Sequence, residues 1–167
     1  MRIGQGIDVH AFDPTADRPL RLGGVHIDGA TPLAGHSDAD VVLHAVTDAL
    51  LGAAGAGDLG SLVGVDQPGT AGADSATFVT LAVNRVAEMG WAVGNIDVTV
   101  VAQRPRLSGH REAMRASVAA LLDVAVDAVS VKATTTDRLG FIGRGEGIAC
   151  MAIVLLHARW GAAASPP

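Results

Sequence analysis

The chain has 167 residues, 49% of them hydrophobic, 17% charged and 3% aromatic, with a formal net charge of -5 at pH 7. An acidic balance with 12 scattered Lys and Arg argues against a nucleic-acid partner, and a single Cys rules out a disulfide framework and points to a reducing, cytoplasmic setting. There is no basic leader with an apolar run and no stretch of about 18 apolar residues, so neither secretion nor a membrane span is expected. A mean hydropathy of +0.37 is high for a small monomer and predicts burial in an oligomer.

Segment 2–12 alternates around Ile3, Ile7 and Val9 and reads as a strand. Within it Asp8 and His10 stand two residues apart, so a carboxylate and an imidazole share one strand face. That is half of a zinc site. Arg21-Leu22 and Val25-His26-Ile27 around Gly23-Gly24 predict a short hairpin. A helix is predicted over 39–54, capped by Asp38 or Ser37 and ended by Gly55 and Gly57. On it Asp40, His44, Thr47 and Asp48 recur at spacings of three and four, a polar stripe on an otherwise apolar helix. A lone histidine there is most simply satisfied by Asp48 one turn later. With Asp8 and His10 already poised, His44 becomes the third metal ligand, and Asp40 or Asp48 orients an imidazole from behind.

Residues 58–72, rich in Gly and acidic groups, predict a loop. A helix over 74–89, capped by Asp74 or Ser75 and stopped at Gly90, leads into a strand over 95–102 that Pro105 ends. Ser108 caps a third helix to Leu122, 129–134 is a strand, and 145–157 is a long final strand. Cys150, inside that apolar run, reads as a buried small hydrophobe. Strands and helices intermixed in this order predict a two-layer α/β sandwich, helices on one face of a mixed sheet, as a single domain over 1–160 with a frayed tail over 161–167.

Three further patterns bear on chemistry. His36-Ser37 precedes a helix, where free N–H groups and the dipole attract an anion, although an ordinary cap reads the same way. Thr134-Thr135-Thr136-Asp137 puts hydroxyl donors beside a carboxylate, a set that holds phosphate oxygens and a hard cation such as Mg²⁺ or Mn²⁺; plain β-propensity is the simpler account. Arg104, Arg106, Arg111 and Arg115 form the one local basic cluster, available to a phosphate-bearing ligand. Residues 140–147 carry too many glycines for a regular element and offer Arg144 and Glu146.

Taken together, Arg2-Ile3-Gly4-Gln5-Gly6-Ile7-Asp8-Val9-His10, His36-Ser37-Asp38-Ala39-Asp40-Val41-Val42-Leu43-His44-Ala45, Asp48-Ala49-Leu50-Leu51-Gly52-Ala53-Ala54, Asn95-Ile96-Asp97-Val98-Thr99, Lys132-Ala133-Thr134-Thr135-Thr136-Asp137-Arg138-Leu139-Gly140-Phe141 and Gly143-Arg144-Gly145-Glu146-Gly147-Ile148-Ala149 resemble the 2-C-methyl-D-erythritol 2,4-cyclodiphosphate synthases. The resemblance implies a homotrimer of ferredoxin-like subunits with active sites at the subunit interfaces. It implies conversion of 4-diphosphocytidyl-2-C-methyl-D-erythritol 2-phosphate to the cyclic diphosphate, with loss of CMP. It implies Zn²⁺ on Asp8, His10 and His44, and a second divalent cation, Mg²⁺ or Mn²⁺, on Asp137. His36 and Thr135 fall on the family's transition-state stabilisers. Its substrate contacts fall on Asp8, His10, His36, Ser37, Asp58, Leu59, Gly60, Thr134, Thr135, Thr136, Asp137, Phe141 and Arg144, with Ala102, Gln103, Arg104, Pro105, Arg106, Leu107 and Ser108 around the cytosine.

Two positions depart from the family pattern. Asp137 stands where glutamate is usual, and Val63-Gly64-Val65 replaces Phe-Pro-Asp, which shifts a methylerythritol contact to Asp66 or to backbone groups. Arg144 and Glu146 suggest a trimer-axis cavity for an isoprenoid diphosphate. Two alternative functions follow: a trimeric prenyl-diphosphate-binding regulator, and a zinc-dependent phosphodiesterase that activates water on the same three ligands.

Overall fold

The computed structural model describes residues 1–64 and 72–159. In chain order its elements are β1 (Arg2–Ala11), the hairpin β2 (Leu20–Leu22) and β3 (Val25–Ile27), α1 (Val41–Ala54), α2 (Leu59–Val63), α3 (Ser75–Glu88), β4 (Trp91–Val101), α4 (Arg111–Leu122), a 3-10 turn (Val126–Ala128), β5 (Val129–Thr134), α5 (Gly140–Gly143) and β6 (Gly147–Ala158). The main sheet has the order β1-β6-β4-β5, with β6 antiparallel to β1 and β4, and β4 parallel to β5. Strands β1, β4 and β5 therefore run the same way and end on one rim of a mixed α/β sheet.

One face of that sheet is covered. Helix α1 lies across β1 and β6, α4 lies against β5, and α3 packs beside α1. Ile96, Val98 and Val100 of β4 and Ile148, Cys150, Ala152, Val154 and Leu156 of β6 are buried beneath them. The alternate positions point the other way: Ile3 is 72% exposed, Ile7 55% and Ile153 47%. Two glycines set how closely α1 approaches. A Cβ on Gly4 would stand 2.1 Å from the Ala49 carbonyl oxygen, and one on Gly6 2.0 Å from that of Ala45. Without those side chains, helix backbone rests directly on strand backbone.

Several expected boundaries move, each for a local reason. The cap of α1 is Asp40, not Asp38 or Ser37, because Ala39 takes a left-handed φ of 57° and helical geometry cannot begin before it has passed. The cap of α4 is His110, not Ser108; a turn closed by His110 N–H to the Leu107 carbonyl delays that helix. The expected loop over 58–72 contains α2, whose first turn is closed by a reciprocal capping box between Asp58 and Ser61. Strand β4 begins at Trp91, four residues before the expected start at residue 95, because a bulge between Val93 and Asn95 lets it stay paired with β6. Residues 140–143 do form a helical turn, and β6 begins at Gly147, since Gly145, at φ 74°, belongs to the turn before it. The tail over 161–167 lies outside the described residues. No described helix is long and apolar enough to cross a membrane.

Candidate functional site

Strand alternation points Asp8 and His10 the same way as Gly4 and Gly6, towards α1, and close helix approach brings His44 down upon them. His10 Nε2 and His44 Nδ1 each stand 2.9 Å from the Asp8 Oδ2 and 3.2 Å from one another. These three are the only group of three or more potential metal-ligating His, Cys, Asp or Glu side chains among the described residues. The outer ring nitrogens are engaged elsewhere. His10 Nδ1 is 2.5 Å from the Ala34 carbonyl oxygen, which can only accept, so that nitrogen carries the proton and Nε2 faces inward. Two inward imidazole nitrogens and a carboxylate oxygen converging on one point suit a divalent cation. Burial opposes the charge on Asp8, but hydrogen bonds and charge from His10 and His44 outweigh it and hold its pKa far below the usual range. Burial likewise pushes the His10 ring down, and Asp8 outweighs it, so the net shift is upward.

Neither carboxylate expected to orient an imidazole does so. Asp40 is fully buried and accepts N–H donors from Gly23, Gly24, Val42 and Leu43, tying the β2–β3 hairpin to the start of α1; burial raises its pKa despite those donors. Asp48 accepts the Leu59 N–H at the start of α2, and Thr47 folds back on the Leu43 carbonyl. The outward nitrogen of His44 meets Ser75 Oγ at 2.9 Å and Ser37 Oγ at 3.2 Å instead. Nothing in the local sequence joins Ser75 to position 44. His36 is exposed on the loop before α1, and Arg18, a residue missed by sequence reasoning, clamps that loop through the Leu33, Gly35 and Ser37 carbonyls at 2.6, 3.0 and 2.7 Å.

A concavity of about 450 Å³ opens at the ends of β4 and β5. It gathers Ala102, Gln103, Arg104, Pro105, Arg106, Leu107 and Ser108 with Thr134 and Thr135, and adds Arg111. Arg104 lies over the Phe12 ring at 4.8 Å and donates to the Gly145 carbonyl at 3.2 Å. Arg115 does not join this basic cluster, because its guanidinium is bound to the Val126 and Val129 carbonyls and to Glu112. Beyond Thr135, Asp137 sits at φ 50° and accepts the Thr135 hydroxyl at 3.3 Å, while the Thr136 hydroxyl closes on the Leu139 carbonyl at 2.7 Å. The register places both regions on one line: Asp8 pairs with Cys150, Cys150 with Val100, and Val100 with Ala133. Three strand spacings, about 14 Å, separate them.

The remaining expected residues lie apart. Asp58 caps α2, with Leu59 and Gly60 in its first turn, and hydrogen bonds from Ser61 lower its pKa. Phe141 is 45% exposed on α5. Arg144 pairs with Glu146, Nε to Oε1 at 2.6 Å, raising the one pKa and lowering the other. Asp66 lies outside the described residues.

A family model described as the YgbB family matches residues 1–157. The 2-C-methyl-D-erythritol 2,4-cyclodiphosphate synthase of Escherichia coli O6:K15:H31 is 53% identical over 156 residues, covering 93% of this chain and 97% of the relative. Among solved structures, the bifunctional IspDF of Campylobacter jejuni superposes with a TM-score of 0.89 at 43% identity, over 94% of this chain and 42% of that longer one. IspF of Plasmodium falciparum, in a CDP complex, superposes with a TM-score of 0.82 at 34% identity, over 95% of this chain and 96% of that one.

Proposed function

The chain belongs to the YgbB family, and on that premise we infer that it converts 4-diphosphocytidyl-2-C-methyl-D-erythritol 2-phosphate to 2-C-methyl-D-erythritol 2,4-cyclodiphosphate with release of CMP. Its relatives are named as synthases of that cyclic diphosphate, and the reaction is a lyase step of non-mevalonate isoprenoid biosynthesis. The observation that carries the reading is the convergence of Asp8, His10 and His44 on one point.

In the cyclisation an oxygen of the 2-phosphate attacks the β-phosphorus and CMP departs. Two anionic groups must be held in line, so positioning and charge neutralisation do most of the catalysis. A Zn²⁺ held by Asp8, His10 and His44 supplies Lewis-acid neutralisation of the phosphates when bound. The chain's own residues do the rest. His36 and the Thr135 hydroxyl donate to phosphate oxygens as charge builds on them. Ser37, Thr134 and Thr136 add contacts to the phosphates. Asp137, with its hydroxyl neighbours, would hold the second divalent cation, Mg²⁺ or Mn²⁺, which would supply charge neutralisation for the departing CMP. The 102–108 wall takes the cytosine, in line with the CDP bound by the Plasmodium structure. Asp58, Leu59 and Gly60 contact the methylerythritol hydroxyls, a role the sequence also gives to Asp66, and Phe141 and Arg144 complete the substrate set.

Three ferredoxin-like copies assemble through the bare sheet face, whose Ile3, Ile7, Val9, Met151 and Ile153 are exposed in one chain. The separation of about 14 Å between the ligand triad and the β5 side of the concavity within one chain favours a site completed across a subunit boundary. On the trimer axis, Arg144 and Glu146 would meet an isoprenoid diphosphate. The lone buried Cys150 suits a reducing, cytoplasmic setting.

Incubation with the cytidylylated phosphate, Zn²⁺ and Mg²⁺ or Mn²⁺ tests the assignment by phosphorus NMR. The cyclic diphosphate and CMP should appear together. A linear phosphate carrying oxygen from labelled water would establish the phosphodiesterase instead, and folded protein that releases no CMP would refute both.

A further inference from the structure

Behind the metal ligands, on the side of His44 that faces away from Asp8, lies a chain of polar groups that neither the proposed reaction nor the sequence pattern accounts for. Ser75 is completely buried. Its Oγ is 2.9 Å from His44 Nε2 and also makes a short hydrogen bond to Asp38 Oδ1. Asp38 is held by the Ser75 N–H on Oδ2 and the Asp40 N–H on Oδ1, at 3.2 and 3.3 Å, with the Arg21 guanidinium 3.8 Å away and shared with Asp74.

The direction of each bond follows from counting protons. A carboxylate only accepts, so the single hydroxyl proton of Ser75 goes to Asp38. Ser75 Oγ is then left as an acceptor towards His44, which obliges Nε2 to carry the ring proton. Ser37 Oγ, 3.2 Å from the same nitrogen, already accepts the Ala39 N–H and offers that proton a second acceptor. With Nε2 protonated, the lone pair of a neutral His44 ring lies on Nδ1, 2.9 Å from Asp8 Oδ2, where the carboxylate, which also only accepts, competes for the ring proton until a cation stands between them.

We propose that Ser75 and Asp38 are positioning residues of the metal centre: a serine-relayed carboxylate that fixes the tautomer and ring orientation of His44 so that Nδ1 is ready to bind the cation. The inference rests on the metal-site reading above, and it adds the device that prepares one ligand. It also explains why Ser75 opens α3 while Asp74 does the capping: the buried hydroxyl faces a ring, and the exposed carboxylate closes the helix.

The test uses the full chain. Long-range proton–nitrogen NMR of the metal-free protein, at a pH where the ring is neutral, should find His44 protonated on Nε2; protonation on Nδ1 overturns the proposal directly. Ser75→Ala should give mixed tautomers and weaken zinc about 10–100-fold by chelator competition, the usual cost of losing a partner behind a ligand. Ser75→Thr restores the hydroxyl and should recover most of that loss. Asp38→Asn is the sharpest variant, because an amide can donate to Ser75 Oγ and reverse the chain, favouring the wrong tautomer. The visible bands of the Co²⁺-loaded protein should shift with it. Zinc affinity within about twofold of the parent in folded Ser75→Ala and Asp38→Asn, with unchanged Co²⁺ bands, overturns the role. A parent that binds no zinc refutes the metal site separately, and the NMR result then decides the relay.

Discussion

The two ends of the sheet rim hold their functional side chains in different ways. At the β1 end each imidazole is fixed from both sides: His10 between Ala34 and Asp8, His44 between Ser75 and Asp8. At the β5 end Thr134, Thr135 and Asp137 are exposed, and their side chains bond to near neighbours along the chain. A set of groups that must present lone pairs to a small cation has to be rigid, since a displacement of a few tenths of an ångström changes the ligand distances. Groups that bind phosphates gain their order from the ligand, and from a neighbouring copy if the assembly is as proposed. The first end is built by one chain; the second is left open.

Breaking the rigid end should cost most. His44→Ala removes a ligand and is expected to abolish stoichiometric zinc binding and reduce turnover by more than about 100-fold, beyond the usual loss from groups behind the ligands; the fold should survive, because the hydrophobic core surrounds the site without depending on it. Stoichiometric zinc by elemental analysis would contradict the ligand set. At the open end, Thr135→Ala should lower kcat by about 100-fold while zinc affinity is unchanged, as expected for loss of a donor that acts on developing charge. A loss seen only in KM would reassign Thr135 to binding.

Gly6→Ala tests how the rigid end is assembled. The added methyl meets the Ala45 carbonyl at 2.0 Å, so α1 must lift from β1. Destabilisation of about 1–3 kcal/mol by denaturant titration should come with weaker zinc binding, although the mutated atom touches no ligand. Stability loss with unaltered zinc affinity would separate helix approach from the metal site.

A smaller effect is expected from pH. In metal-free protein the Asp8 pKa is lowered from 3.8 and that of His10 raised from 6.5. The lowered carboxylate contributes stability above 3.8 that is lost as pH falls; the raised imidazole contributes stability below 6.5 that is lost as pH rises through its folded value. With chelator present, the Tm advantage of the parent over Asp8→Asn should peak between about pH 4 and 6.5 and shrink towards alkaline pH. A constant difference across that range would rule out the pairing. The smallest effect is at the open end, where Asp137→Glu should change the Mg²⁺ or Mn²⁺ concentration for half-maximal turnover a few-fold and leave zinc untouched.

Much of this is legible in the sequence alone. Period-two alternation places Asp8 and His10 on one strand face whatever the rest of the fold does, and helical spacing puts His44 on the polar stripe of a helix whose end at Gly55 is announced by the residue itself. Strand β5 and the Asp74 cap of α3 are equally local and fall where expected. The partners of His44 were not legible. Asp40 and Asp48, near it in sequence, are spent on the hairpin and on α2, whereas Ser75 comes from 31 residues away. The length of β4 was hidden as well, because its first residues are held by pairing with β6 across a bulge and carry no alternation of their own.

The difference has one physical cause. Backbone geometry alone determines which face a side chain takes and where a helix must stop, so strand phase, helix ends and the candidate ligands were settled by the order of residues. Which atoms touch across that face depends on how closely separate elements pack, and only the folded chain, with α1 seated on Gly4 and Gly6, decided that His44 meets Asp8 on one side and Ser75 on the other.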